Sequence, residues 1–313
     1  MPPRSLELFD LPLLHRYRDE AISLDSLREL TRGNPLRAAN FLAHLDPKQR
    51  IYTGIVNEGE DPAILGCVIQ KEGESFAHLT YLAPTNLLYE NHAPIPLVEH
   101  LAAQAGKWQA HQVLAEIDEE SLLFQPLRQS GFAVYGRQRI WNLSEVASVT
   151  DSSQRWRKKK DLDLIPIGSL ERQIVPPLLQ PIETFANSSS GLICQADELL
   201  AYIDVTTGPR GIFLRPLIHP NTEDIREKLL SLLANLSNRR DRPVFICVRS
   251  YQAWIESILE EIGASVGPRQ AVMVKYLVNP VREGKTLPAN ADKAWANPAS
   301  PINGQSAVVE PDK

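Results

Sequence analysis

Few residues of this chain have types and placements suited to chemistry. Glu116 lies near the end of the apolar run QVLAEI, Gln112–Ile117. A carboxylate held among apolar neighbours has its pKa raised toward neutrality, which a general base needs. The alternative is a surface charge beside the acidic stretch Asp118–Glu119–Glu120 at a helix start. Arg215 and Arg249 each stand near the C-terminal end of a run of large apolar residues, GIFLRPLI and PVFICVR. If those strands are neighbours, both guanidiniums reach one opening, at the strand ends where open sheets bind ligands. Two planar forks there suit a carboxylate or a phosphate. The alternative is pairing with the chain's own acids, such as Glu223 or Asp224. His78 and His219 read as structural. Cys67, Cys194 and Cys247 are far apart, read as reduced buried thiols, and imply no metal site.

The elements that must position these residues occur twice. In the first copy a strand at Ala77–Leu82 leads to a helix at about Pro94–Ala110. Leu97, Val98, Leu101, Ala102, Ala105 and Trp108 share one face of that helix. The strand Gln112–Ile117, a short helix stopped at Gly131 and a strand at Tyr135–Leu143 follow. In the second copy the strand Ile212–Ile218 leads to a helix with the stripe Ile225, Leu229, Leu232, Leu233 and Leu236. The strand PVFICV comes next. A helix capped by Ser250 and stopped at Gly263 then runs into the last strand. Gly131 and Gly263 are separated by 263 − 131 = 132 positions, and the pairs Arg137/Arg269 and Gln138/Gln270 share that offset. Three identities in one register support a duplication.

This order resembles the second half of the GNAT acyltransferase fold. The parts that carry the resemblance are the strand ending at Pro84, the long helix after it, QVLAEID, and SLLFQPLRQSGF with its closing strand. It covers about residues 5–143 and again about 162–279. The resemblance implies an α/β (α+β) fold class: two GNAT-like acyl-CoA N-acyltransferase folds in tandem, with mixed central sheets flanked by helices. It implies acetyl-CoA or another acyl-CoA as cofactor and a small-molecule amine or peptide as acceptor. Leu82, Ala83 and Thr85 are then the cofactor-binding positions, with strand N–H groups near Leu82 supporting the oxyanion. Glu116 is the candidate catalytic base.

The sequence departs from that family at two places. Family members cradle the pyrophosphate in a glycine-bearing loop after the fourth strand. PTNLLYENHAPIP (Pro84–Pro96) has no glycine, and Pro94 and Pro96 remove two N–H donors. HPNTED (His219–Asp224) also lacks glycine, and its Glu223 and Asp224 put carboxylates where a phosphate would sit. The family's acid tyrosine, four residues before the helix-stop glycine, falls on Leu127 and Leu259. A non-catalytic GNAT-like module that binds a ligand or a protein is therefore the alternative to an enzyme.

The rest of the chain frames this unit. At 313 residues, two domains are expected: 1–143, and a truncated one at 162–279. Between them 144–161 reads as a linker carrying RWRKKK (Arg155–Lys160), either solvated or a basic docking patch. Residues 280–313 read as a disordered tail. Leu6–Asp10 reads as a first strand, Leu11–Thr31 as helical and Asn34–Leu45 as a second helix. Arg50–Glu58 and Ala63–Lys71 read as a hairpin through GEDP. A net charge of −5 argues against nucleic acid or an anionic membrane as the main partner. With no signal peptide or membrane-length apolar run, a cytoplasmic protein is expected.

Overall fold

The computed structural model describes residues 2–36, 47–57, 63–89, 94–147, 156–185, 188, 190–195, 199–236, 239 and 241–277. The GEDP turn, most of the expected second helix and the expected tail lie outside them. The first half comprises β1 (Arg4–Ser5), α1 (Leu11–Arg16), β2 (Ile22–Ser23), α2 (Ser26–Arg32), β3 (Gln49–Val56), β4 (Ile64–Lys71) and β5 (Phe76–Ala83). It continues with α3 (Pro94–Lys107), β6 (Gln112–Asp118), α4 (Phe124–Gln129) and β7 (Ala133–Asn142). The second half comprises β8 (Trp156–Lys158), α5 (Leu164–Ile174), β9 (Gly191–Gln195), β10 (Leu199–Thr207) and β11 (Ile212–Ile218). It closes with α6 (Ile225–Asn235), β12 (Val244–Arg249), α7 (Ile255–Glu261) and β13 (Ser265–Tyr276).

All of these strands lie in one 13-stranded sheet, ordered β1-β3-β4-β5-β6-β13-β7-β12-β11-β10-β9-β8, with β2 joined to β5. The order is the same from either end once repeat-equivalent strands are exchanged. The closing strands have changed sides: β13 pairs with β6 of the first half, and β7 with β12 of the second. β7 and β13 are antiparallel neighbours, with Gln138 opposite Gln270. The Gln138 amide donates to Gln270 Oε1 at 2.8 Å, so the repeat-equivalent glutamines meet at the pseudo-two-fold axis. Cross-strand neighbours project to the same face, so this axis is normal to the sheet.

The sheet therefore runs without a break across the sequence division at 143 and 162. β8 begins within the stretch read as linker, and Trp156–Lys158 pairs with β9. The shortening of the second half falls on its connections, before β9 and before α6, while β10 and β13 are longer than their counterparts β4 and β7. β9 has 5 residues where β3 has 8, yet each strand of the GNAT order is present.

Local chemistry accounts for the element ends. Gly131 and Gly263 both adopt φ 86°, and the next turn closes identically: Phe132 N–H donates to Leu127 O, and Ala264 N–H to Leu259 O. Asp25 caps α2 by accepting from Arg28 N–H at 3.0 Å. Leu6–Asp10 is not a strand. Asp10 takes a bidentate fork from Arg4 (2.6 and 2.8 Å) and the Glu7 N–H (2.9 Å), which closes a 3-10 turn at Leu8–Asp10. The expected helical region from Leu11 is broken by β2. Ser250 opens a 3-10 turn rather than α7, whose N-cap is Trp254.

The fork at Asp10 recurs. Arg157 forks onto Asp163 at 2.6 and 2.7 Å, and Lys160 N–H donates to Asp163 at 2.7 Å. The offset is 157 − 4 = 153, which also relates Asp10 to Asp163 and the buried anchors Leu14 and Ile167.

Four apolar clusters fill the two faces of the sheet. On one face α3 and α4 cover β4–β6 and β13, and α6 and α7 cover β7, β11 and β12. On the other, α1 and α5 cover the two halves. The β10–β11 turn docks on α2, where Arg210 N–H donates to Thr31 O at 2.9 Å. A Cβ on Gly208 would lie 2.2 Å from Thr31 O, so only glycine fits this approach.

Candidate functional site

In the first half the expected cleft lies where β5 and β6 part. They pair in parallel only over Phe76–His78 and Gln112–Leu114. The gap beyond is filled by the chain itself. β2 adds to β5, with Ile22 opposite Leu82 and Ser23 opposite Tyr81. Leu24 N–H donates to Thr80 O (2.9 Å), and Glu116 N–H on the opposite strand donates to Leu24 O (2.8 Å). The Leu24 side chain is buried with Leu79, Leu82 and Ile117. Glu20 O accepts from both Thr85 N–H (2.8 Å) and Thr85 Oγ1 (2.7 Å).

Of the three positions expected to hold a cofactor, Leu82 is thus paired with β2 and Thr85 is bound to Glu20. Ala83 is buried opposite Leu65 of β4. Glu116 does reach this region, but its carboxylate accepts from Ser26 N–H (3.1 Å) and meets Arg249 at 3.4 Å.

The second half closes its cleft differently. β11 and β12 pair over Ile212–Leu214 and Val244–Ile246. Beyond that, the buried Gln252 amide accepts from Ile218 N–H (2.8 Å) and donates to Pro216 O (2.8 Å). Pro216 itself has no N–H to offer. At the start of α6 the exposed Asp224 sits at the N-cap with φ 50° and makes no side-chain cap bond, and the exposed Glu223 precedes it, so the helix start is acidic. Leu127 and Leu259, at the positions of the family tyrosine, are buried in the α3 and α6–α7 clusters.

Arg215 and Arg249 are brought together, though not as open forks. Arg215 binds Asp204 (2.6 and 2.9 Å) and lies 3.6 Å from Glu183. Arg249 lies 2.6 Å from Glu183 through Nε and 3.4 Å from Glu116, and it bonds the Gln138 amide oxygen. The close Arg249–Glu183 contact is an ion pair without hydrogen-bond alignment, since neither Nε nor the Glu183 oxygens satisfy bond geometry. Burial alone would lower both guanidinium pKa values. Asp204 and Glu183 outweigh it at Arg215, as Glu183 does at Arg249, and both are held above their ordinary value. Burial pushes the Cys247 thiol up to about 12 and the Tyr251 phenol well above its usual range. The partners are therefore Asp204, Glu183 and Glu116, not Glu223 or Asp224. Asp204 was legible, because it lies opposite Arg215 in the β10–β11 hairpin. Glu183 sits in an irregular segment and carries no pattern.

This network bridges the halves. Ser26 Oγ of α2 donates to Gln270 Oε1 at 3.0 Å, beside Gln138, and Cys247 Sγ donates to Gln138 at 3.2 Å. An open groove of about 830 Å³ lies elsewhere, at the opposite strand ends, lined by Lys48, Arg50, Lys71, Trp108 and His111 among others. Among the described residues no group of three or more His, Cys, Asp or Glu is placed to hold a metal ion.

A strand order with one parallel, splayed pair in each half, a long helix between the splayed strands and a helix–Gly–strand closure defines the GNAT fold, here in two copies. Solved structures bear this out at the level of fold. A tandem GNAT protein from the clavulanic acid biosynthesis pathway matches with a TM-score of 0.54 and 13% identity, over 88% of this chain and 98% of that one. A GCN5-related N-acetyltransferase from Sphaerobacter thermophilus matches at 0.53 and 11%, over 88% and 95%. A putative acetyltransferase from Pyrococcus horikoshii matches at 0.54 and 10%, over 88% of each. No protein-family model and no curated protein sequence matches the chain.

Proposed function

We propose that this chain is a non-catalytic GNAT-like module, a binding or scaffolding protein whose acyl-CoA clefts are closed by its own residues. One observation carries the reading: Glu20–Leu24 occupies the splay between β5 and β6 and bonds to both strands. The residues present do not fit acyl-CoA. The strand edge is used, the turns lack glycine, and the start of α6 is acidic. Withdrawing the segment would expose Leu24, unpair β2 from β5 and break four further hydrogen bonds, at a cost of at least about 5 kcal/mol. That lowers an apparent ligand affinity by about three to four decades.

The second reading is acyl transfer from acetyl-CoA to a small-molecule amine or peptide, with Glu116 as base. It is favoured by the fold, because the matched structures are described as acetyltransferases. It requires Glu20–Leu24 to leave and Glu116 to release Ser26 and Arg249. Isothermal titration of the full chain with acetyl-CoA separates the two. The module predicts no binding heat up to millimolar ligand. A micromolar dissociation constant restores the enzyme.

A further inference from the structure

The twin Arg–Asp forks shape two matching knuckles, one at each end of the sheet. In each, the residue before the aspartate is thrown into solvent: Phe9 is 91% exposed and Leu162 88%. The residue after it is half exposed, Leu11 at 42% and Leu164 at 40%. The second knuckle adds Ile165, 82% exposed. It also adds charge. Lys158 and Lys160 are exposed beside it, where the first knuckle has Ser5 and Glu7 at the same offset.

We propose that the second knuckle docks the protein on an anionic lipid surface. Three large aliphatic side chains at a helix start, beside Lys158 and Lys160, which outnumber the one exposed carboxylate among them, Asp161, have the composition that interfacial membrane contacts use. A protein partner is less well matched. Lysine is depleted at interface cores, and leucine is under-represented among hot spots. Nucleic acid would use the lysines and leave the aliphatic tip without a role. The chain's net charge of −5 does not oppose this, because screening beyond about 8 Å makes the local patch decisive. No described helix is long and apolar enough to cross a membrane, so the contact is peripheral. The inference does not depend on whether either cleft is catalytic.

The test is co-sedimentation of the full chain with vesicles of phosphatidylcholine alone or mixed with phosphatidylserine, at low and high salt. Binding is expected to the mixed vesicles at low salt. Lys158→Glu/Lys160→Glu is expected to weaken it by at least ~30-fold, at about one kcal/mol per lysine. Leu162→Ser/Ile165→Ser is expected to weaken it by about 10-fold or more, and Phe9→Ser by no more than roughly twofold. All these sites are exposed, so the melting temperature should hold. Sedimentation with neither vesicle, equal binding to both, or indifference to the Leu162/Ile165 variant overturns the proposal. So does binding of soluble heparin that needs the lysines but not the aliphatic pair.

Discussion

The two clefts are closed by different means. In the first half a stretch of main chain lies in the splay and bonds to both strands, as an added strand would. In the second a single side-chain amide, Gln252, caps the edge of one strand whose other site is proline. One sheet geometry thus has its splay bridged twice, through unrelated residues. A splayed edge leaves N–H and C=O groups unpaired, and burying them without a partner is costly. Each half pairs those groups with its own residues. The buried charges connect them, with Arg249 from the second half between Glu183 and the first-half Glu116.

The largest expected effect sharpens that connection. Arg249→Met removes the nearest counter-charge of the buried Glu183, which keeps only Arg215 at 3.6 Å, and takes its cation from Glu116; it should cost about 4 kcal/mol in urea unfolding. A loss below about 1 kcal/mol would mean the pairs are solvated and the halves are not joined through them. The clefts themselves come next. Gln252→Leu strands the Ile218 N–H and the Pro216 C=O, for about 3 kcal/mol. Leu24→Ala leaves a cavity under β2, also for about 3 kcal/mol. The comparison breaks if one of these is neutral, since that cleft would then not need its closure. Ser26→Ala removes one hydroxyl bond to Gln270 and should cost about 1 kcal/mol.

The smallest effect is in the acid limb. The Arg157 fork holds Asp163 down at about 2, against 3.8 for the free carboxyl, and the Arg4 fork likewise lowers Asp10. A depressed carboxyl contributes stability that is complete above its unfolded pKa and is lost as pH falls through the folded one. Asp163→Asn should therefore flatten the pH dependence of stability between about pH 4 and pH 2. No change there would mean the fork opens in solution.

Much of the architecture was legible because it rests on local pattern. β11 was read to its observed limits, and α3, α6, β5 and β6 to within a few residues, since hydrophobic periodicity sets them. The exchange of β7 and β13 was not legible, because their partners lie in the other half of the chain. Gln138 and Gln270 gave its one trace, as a shared identity whose meaning is contact across an axis. β2 is two residues long and has no periodicity to read. The Arg–Asp forks were hidden by their offset, 153 rather than 132, because the connections between the halves differ in length. At the candidate site, Arg215 and Arg249 were read as neighbours and Glu116 as a separate carboxylate of the first half; the contact between Glu116 and Arg249 was not read. Their engagement by Glu183 and Ser26 depends on irregular segments and on distant parts of the chain.

The most direct measurement is amide hydrogen exchange over Glu20–Ser26 and at Glu116, with and without millimolar acetyl-CoA. Glu116 N–H and Leu24 N–H should exchange as slowly as the central strands, and ligand should leave both unchanged. Rapid exchange of this segment in the free protein, or its release when acetyl-CoA is added, would contradict a cleft closed by its own chain.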